Sequence, residues 1–204
     1  MTDEVKRICR RWLALSALGA LVGFALVYGL WTPTSDHALS LAASPVAAVA
    51  LAQAVALYRT RPAPVLALLW LAVTPAFIVA ANILGLVGFS GWRHVPSYLE
   101  YATVLSMFTT PVLLVLGLIQ GAILKRWLGR APAFALITAA GNVVALICVL
   151  LLAWLLESAG LMDLLGRDQL SASAGAPLML VLSAFQAISL MNVTLHSEPF
   201  RRSA

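Results

Sequence analysis

Residues Thr110–Trp127 read TPVLLVLGLIQGAILKRW, an apolar run with a proline near its start, one glutamine inside it and a basic pair near its end. The layout occurs twice more, where Pro45 leads to Gln53 and Pro177 leads to Gln186. The three prolines fall 66 residues apart, and Gln53, Gln120 and Gln186 are separated by 67 and 66. Three of the four glutamines in the chain take part. Ala50, Gly117 and Ser183 stand three positions before each glutamine, and Ala54, Gly121 and Ala187 one after. The result is a small-xxx-small spacing, which in a membrane lets two helix backbones approach closely. A long internal period predicts an architecture of repeated units. Here the units are three helical hairpins, about 12–61, 65–128 and 133–196, within a single transmembrane domain covering residues 1–204.

Composition fixes the solvent. The 204 residues are 62% apolar and 10% charged, with a mean hydropathy of +0.96, whereas soluble domains carry about 25% charged residues. A run of roughly 20 apolar residues spans a bilayer. These runs are too long for barrel strands, and every backbone group in hydrocarbon must be bonded internally, so they are helices. Six are expected: Trp12–Trp31, Leu39–Tyr58, Val65–Phe89, Ser97–Leu124, Ala133–Leu156 and Ala174–Leu195. The first is too long for the apolar core of a signal peptide and is read as retained. Trp12 and Trp31 are placed as interfacial anchors. The predicted fold class is all-α: a polytopic membrane protein whose three hairpins are parallel repeats about a pseudo-threefold axis along the membrane normal.

The net charge of +5 reports orientation rather than a nucleic-acid partner. The basic residues form neither a stripe nor a basic platform interleaved with aromatics. Eleven of the thirteen fall on one side: Lys6, Arg7, Arg10 and Arg11 before the first span, Arg59 and Arg61 after the second, Lys125, Arg126 and Arg130 after the fourth, and Arg201 and Arg202 after the sixth. Only Arg93 and Arg167 remain for the other side. The positive-inside rule then puts both termini in the cytoplasm. Cys9 and Cys148 fall at different depths, so no disulfide is expected between them. Cys9 is either a free juxtamembrane thiol or an acylation site.

The even helices resemble a family of uncharacterised bacterial membrane proteins that carry Gly-aliphatic-x-Gln-x-x-x-Leu-basic-basic. The fourth span matches throughout, at Gly117, Leu118, Gln120, Leu124, Lys125 and Arg126. The second matches in part, at Ala50, Leu51, Gln53, Leu57 and Arg59. The sixth keeps Gln186 and Leu190 but has Met191 and Asn192 in place of the basic pair. The resemblance implies six helices in the bacterial cytoplasmic (inner) membrane and no established activity.

Several groups of residues are candidates for chemistry. Gln53, Gln120 and Gln186 are expected at similar depth, either as a polar ring that meets a small solute or ion, or as interhelical bonds between packed helices. Gly117 and Gly121 are the close-packing candidates. Asn82 and Asn142 are secondary polar positions, each needing a partner in hydrocarbon. GFSG at Gly88–Gly91 is like the serine motif of rhomboid proteases, but Ser90 sits at a membrane boundary and no histidine is fixed beside it. Asp36, His37, His94, Glu100, Glu157, Asp163 and Asp168 fall near the outer face without a metal-ligand spacing. No ionisable residue lies at mid-membrane, which argues against a proton-coupled pump. No enzyme, cofactor or metal is therefore expected. The partners expected are the lipid bilayer and other membrane subunits, with no nucleic acid. The functional expectation is permeation or binding of a small solute or ion along the repeat axis. The alternatives are a non-catalytic subunit or scaffold of a larger membrane complex and, behind it, a membrane-embedded enzyme.

The charge asymmetry generates a direct test. A cysteine introduced between residues 125 and 130 is expected to react with cytoplasmic reagents only, and one near Asp168 with external reagents only. The reverse labelling would overturn the orientation.

Overall fold

The computed structural model of the protein describes residues 2–30, 38–90, 98–130, 133–161 and 175–195. Those residues form six helices: α1 (Asp3–Leu30), α2 (Ala38–Tyr58), α3 (Pro64–Ser90), α4 (Tyr98–Leu128), α5 (Phe134–Ser158) and α6 (Gly175–Leu190). Two short strands, β1 (Gly129–Arg130) and β2 (Thr194–Leu195), pair antiparallel with Gly129 opposite Leu195 and Arg130 opposite Thr194. Among the described residues, α1, α5 and the Thr109–Leu128 part of α4 are long and apolar enough to cross a membrane. Residues 44–58, 64–80 and 176–190 are shorter apolar stretches.

The helices close into a ring. Each packs on its neighbours in sequence, α6 returns to α1, and α2 also reaches α6. Small residues set the closest approaches. A Cβ added to Gly117 would lie 2.6 Å from the backbone of Ala139, and one on Gly121 would lie 2.6 Å from Ala135. Four residues forward on α4 meets four residues back on α5, so these helices run antiparallel in near backbone contact. The same reversal occurs between α1 and α2, where Gly19 faces Ala48 and Val49 and Gly23 faces Pro45. The small-xxx-small pair on α4 thus seats an odd helix, α5.

Two buried clusters fill the ring. The first gathers the starts of α1, α3 and α5 with the ends of α2, α4 and α6, including Ile8, Trp12, Leu57, Trp70, Leu124, Trp127, Phe134 and Leu190. The second lies further along the bundle around Val49, Ile78, Leu113, Leu116, Leu146, Met179 and Leu182. On the outside every helix exposes large apolar side chains, as at Leu21, Leu51, Leu68, Leu118, Leu136 and Ile188. A monomeric soluble protein rarely exposes so much contiguous apolar surface.

Local differences from the sequence reading have physical causes. The first helix starts well before the expected Trp12: α1 begins at Asp3, with Lys6 on Asp3 at 3.3 Å. Trp12 is consequently inside the bundle, fully buried, with its ring edge-on to Trp70 at 5.6 Å between centroids. It is a core side chain there, and Trp31 lies outside the described residues. Cys9 is buried, and its thiol donates to the Ala187 carbonyl at 3.6 Å. The sixth helix stops at Leu190 rather than Leu195, because the chain turns through Met191–Val193 into β2. The repeat prolines occupy different places, since Pro45 and Pro111 lie inside their helices while Pro177 is in the first turn of α6.

Overpacking offers a test of the closest contacts. Gly117→Leu and Gly121→Leu are each expected to destabilise the bundle by about 1–3 kcal/mol or more, because α4 and α5 are forced apart. Gly29, where an added Cβ would meet nothing within 4 Å, is the control, and Gly29→Ala should leave melting unchanged or raise it slightly.

Candidate functional site

The three glutamines lie on the even helices and are completely buried. A lone amide in an apolar interior leaves its donors and acceptor unpaired, at a cost of several kcal/mol by the harshest reference, about 4–8 kcal/mol. Here the amides face one another. Gln186 Nε2 donates to Gln120 Oε1 at 3.0 Å, and Gln53 Nε2 donates to Gln186 Oε1 at 3.2 Å. Three helices separated by more than 60 residues along the chain are thereby linked, α2 to α6 to α4.

Helix α3 terminates this chain of bonds at both ends. Trp70 Nε1 donates to Gln53 Oε1 at 3.1 Å, and Gln120 Nε2 donates to Thr74 Oγ1 at 3.1 Å. Trp70 and Thr74 are one helical turn apart, so one face of α3 serves both outer glutamines. On α6, Ser183 Oγ accepts a second bond from Gln53 Nε2 at 2.9 Å and donates to the Met179 carbonyl at 2.6 Å. Each glutamine oxygen has an acceptor role and each amide nitrogen a donor role, and Gln186 is the central link.

The other proposed positions divide. Asn142 Nδ2 donates to the Leu113 carbonyl of α4 at 2.8 Å, while its Oδ1 is buried without a partner. Its place is set by the same α4–α5 approach that Gly117 and Gly121 allow. Gly117 and Gly121 face α5, and Gln120 between them faces α3 and α6. The side chain of Asn82 lies outside the described residues, as do the side chains of Ser90 and Glu100 and residues Asp36, His37, Arg93, His94, Asp163, Arg167 and Asp168. Among the described residues no group of three or more His, Cys, Asp or Glu side chains is placed to hold a metal ion.

Sequence reading does not identify Trp70, Thr74 or Ser183 as glutamine partners. Ser183 is visible there only as a small residue three before Gln186. Trp70 and Thr74 look like ordinary span residues; their i, i+4 spacing on the helix beside two glutamine helices is the available signal. A further bond, Trp127 Nε1 to the Arg61 carbonyl at 2.8 Å, ties the end of α4 to the turn after α2.

No protein-family model, curated protein or solved structure matches the chain.

The bond pattern ranks the glutamines. Gln53 makes three side-chain bonds and Gln120 two, so Gln53→Leu is expected to cost more stability than Gln120→Leu in thermal melts. The two are not bonded to each other but share Gln186. A Gln53→Leu/Gln120→Leu double variant should therefore depart from additivity by at least about 0.5 kcal/mol.

Proposed function

We propose that the chain is a six-span membrane protein acting as a non-catalytic scaffold or subunit of a membrane assembly, with the glutamine layer locking its helices. The single observation that supports this reading is that the buried glutamine amides bond to one another and to α3. Interhelical bonds of this kind contribute about 0.6–2 kcal/mol each. A layer of them fixes rotation and register, which nonspecific apolar packing in lipid does poorly. In the same proposal three hairpins repeat about one axis, both termini face the cytoplasm, and the location is a bacterial inner membrane. The kinship suggested by the even-helix motif belongs to it as well. The collection of basic residues at the helix ends that meet around Trp127 supports the orientation.

Permeation draws on the same three residues and needs their amides free to meet a solute. In the observed arrangement the polar atoms that would replace a solute's hydration are held by Gln186, Trp70, Thr74 and Ser183. A passing solute would have to displace bonds between side chains fixed on four helices. The locking reading requires no such exchange.

The two readings diverge for one substitution. Gln120→Leu removes the acceptor for Gln186 and the donor for Thr74. Under the scaffold reading it lowers stability by about 1–3 kcal/mol, and liposomes containing either wild type or variant retain small solutes and ions equally. Wild-type liposomes that leak a defined solute, with leakage abolished by Gln120→Leu at unchanged melting temperature, would replace the scaffold reading with permeation.

A further inference from the structure

The glutamine layer is flanked by two pairs of buried polar atoms that have no partner among the described residues. On α1 these are Trp12 Nε1 and Ser16 Oγ; on α5 they are Thr138 Oγ1 and Asn142 Oδ1. All four residues are at most 1% exposed. Each pair has i, i+4 spacing, which stacks its members on one helix face about 5–6 Å apart. A helical hydroxyl in an apolar setting ordinarily turns back to the carbonyl four residues earlier. Ser183 and Ser189 do this, on Met179 and Phe185. Ser16 and Thr138 do not.

Ser16 and Thr138 lie at the level of the glutamines, with Trp12 and Asn142 one helical turn further along α1 and α5 in opposite directions. Gly19 faces Ala48 and Val49 across the antiparallel α1–α2 contact, so Ser16, three residues back, is level with positions 51–52, beside Gln53. Gly121 faces Ala135 and Gly117 faces Ala139, which puts Thr138 level with position 118, two residues or about 3 Å from Gln120. Gly141 faces Phe185 on α6, which puts Thr138 level with position 188, two residues from Gln186. On the α5 wheel Thr138 falls between the direction of Ala139, toward α4, and that of Gly141, toward α6. Ser16 likewise falls between Gly19, toward α2, and Cys9, which is bonded to α6. Every helix therefore contributes at least one polar side chain at this level: Ser16, Gln53, Thr74, Gln120, Thr138 and Gln186.

The donors and acceptors can be matched. The bonds of Gln120 and Gln186 described above use one hydrogen of each amide nitrogen, although each carries two. Ser16 Oγ, Thr138 Oγ1 and Asn142 Oδ1 can accept, and the Trp12 indole can only donate. A single molecule with two donors and two acceptors can serve both members of a pair that shares one helix face. Buried waters take this role, bonding about three otherwise unsatisfied polar groups.

We propose that two internal water molecules complete the layer, one bridging Trp12 and Ser16 on α1 and the other bridging Thr138 and Asn142 on α5. The inference rests on the reading of the glutamines as a locking layer. The waters carry that layer to the two helices the glutamine bonds themselves do not reach. The α1 water accepts from the indole and donates to Ser16; the α5 water donates to Thr138 and Asn142 and accepts from a neighbouring amide.

Two measurements on the full chain test this. In thermal melts Thr138→Val and Ser16→Ala each remove one water ligand with little change of shape. A fall of about 2–4 °C in each, the shift expected for one hydrogen bond in a chain this size, is the expected result. A dry, unpaired hydroxyl gives the opposite sign, because its removal relieves a desolvation cost; an unchanged or raised melting temperature in both variants would overturn the proposal. Radiolytic hydroxyl-radical footprinting of the unmutated protein needs no variant to fold. Radicals formed from a bound water should oxidise Trp12 although it is sealed from solvent, and a Trp12 left unmodified at doses that label exposed side chains would overturn the α1 site. Gln120→Leu, which leaves the α1 pair on its side of the ring untouched, is run alongside. If it leaves melting unchanged while Trp12 is oxidised, the locking reading fails and the water site stands.

Discussion

The structure depends on the cost of leaving an amide unpaired in an apolar interior. A glutamine on a lone apolar helix carries two donor hydrogens and one oxygen into a medium that cannot answer them. Gln53, Gln120 and Gln186 resolve this only collectively, since Gln186 accepts from one and donates to the other. That requirement is directional, unlike apolar contact. Any apolar side chain can take a leucine's place in packing, but none can take the place of an amide. The helices that carry the glutamines are therefore held at one relative height and rotation, and the leucines, alanines and tryptophans around them pack into the space this leaves.

Close approach of backbones is the second constraint, and it works on other faces of the same helices. Gly117 and Gly121 bring α4 against α5, while Gly19 and Gly23 bring α1 against α2. These contacts set the distance between helices, whereas the glutamines set their register. Asn142 shows the two constraints meeting. The near contact of α5 with α4 lets its short amide reach the Leu113 carbonyl.

The helices were legible because their cause is local: apolar length and the absence of charge are properties of each segment alone. Their number and approximate limits could be read directly, with errors at the ends where tertiary contacts decide. Trp12 looked like a boundary residue because a basic segment precedes it, yet the helix extends back to Asp3 and carries the indole into the core. The stop at Leu190 depends on pairing with Gly129–Arg130, which lies more than 60 residues away and leaves no local trace. The glutamine positions were legible through their period. Their partners were not, because Trp70, Thr74 and Ser183 acquire a role only when three other helices are in place. Small-xxx-small spacing announced a close contact without saying which helix would fill it.

The central position of Gln186 has a consequence for how the chain is made. Synthesis runs from the N-terminus, so α2 and α4 are complete before the helix that joins them exists. Until then the partners available on the earlier helices are Trp70 for Gln53 and Thr74 for Gln120, and Gln186, which bonds to both, is missing. A nascent chain of four helices is thus a pair of hairpins joined through α3, with the amide faces that await α6 still unpaired. Arrival of the last hairpin closes the ring, bridges the two amides and pairs β2 with β1. Closure of the ring is in this sense a late event, governed by α6 rather than by the helices made before it.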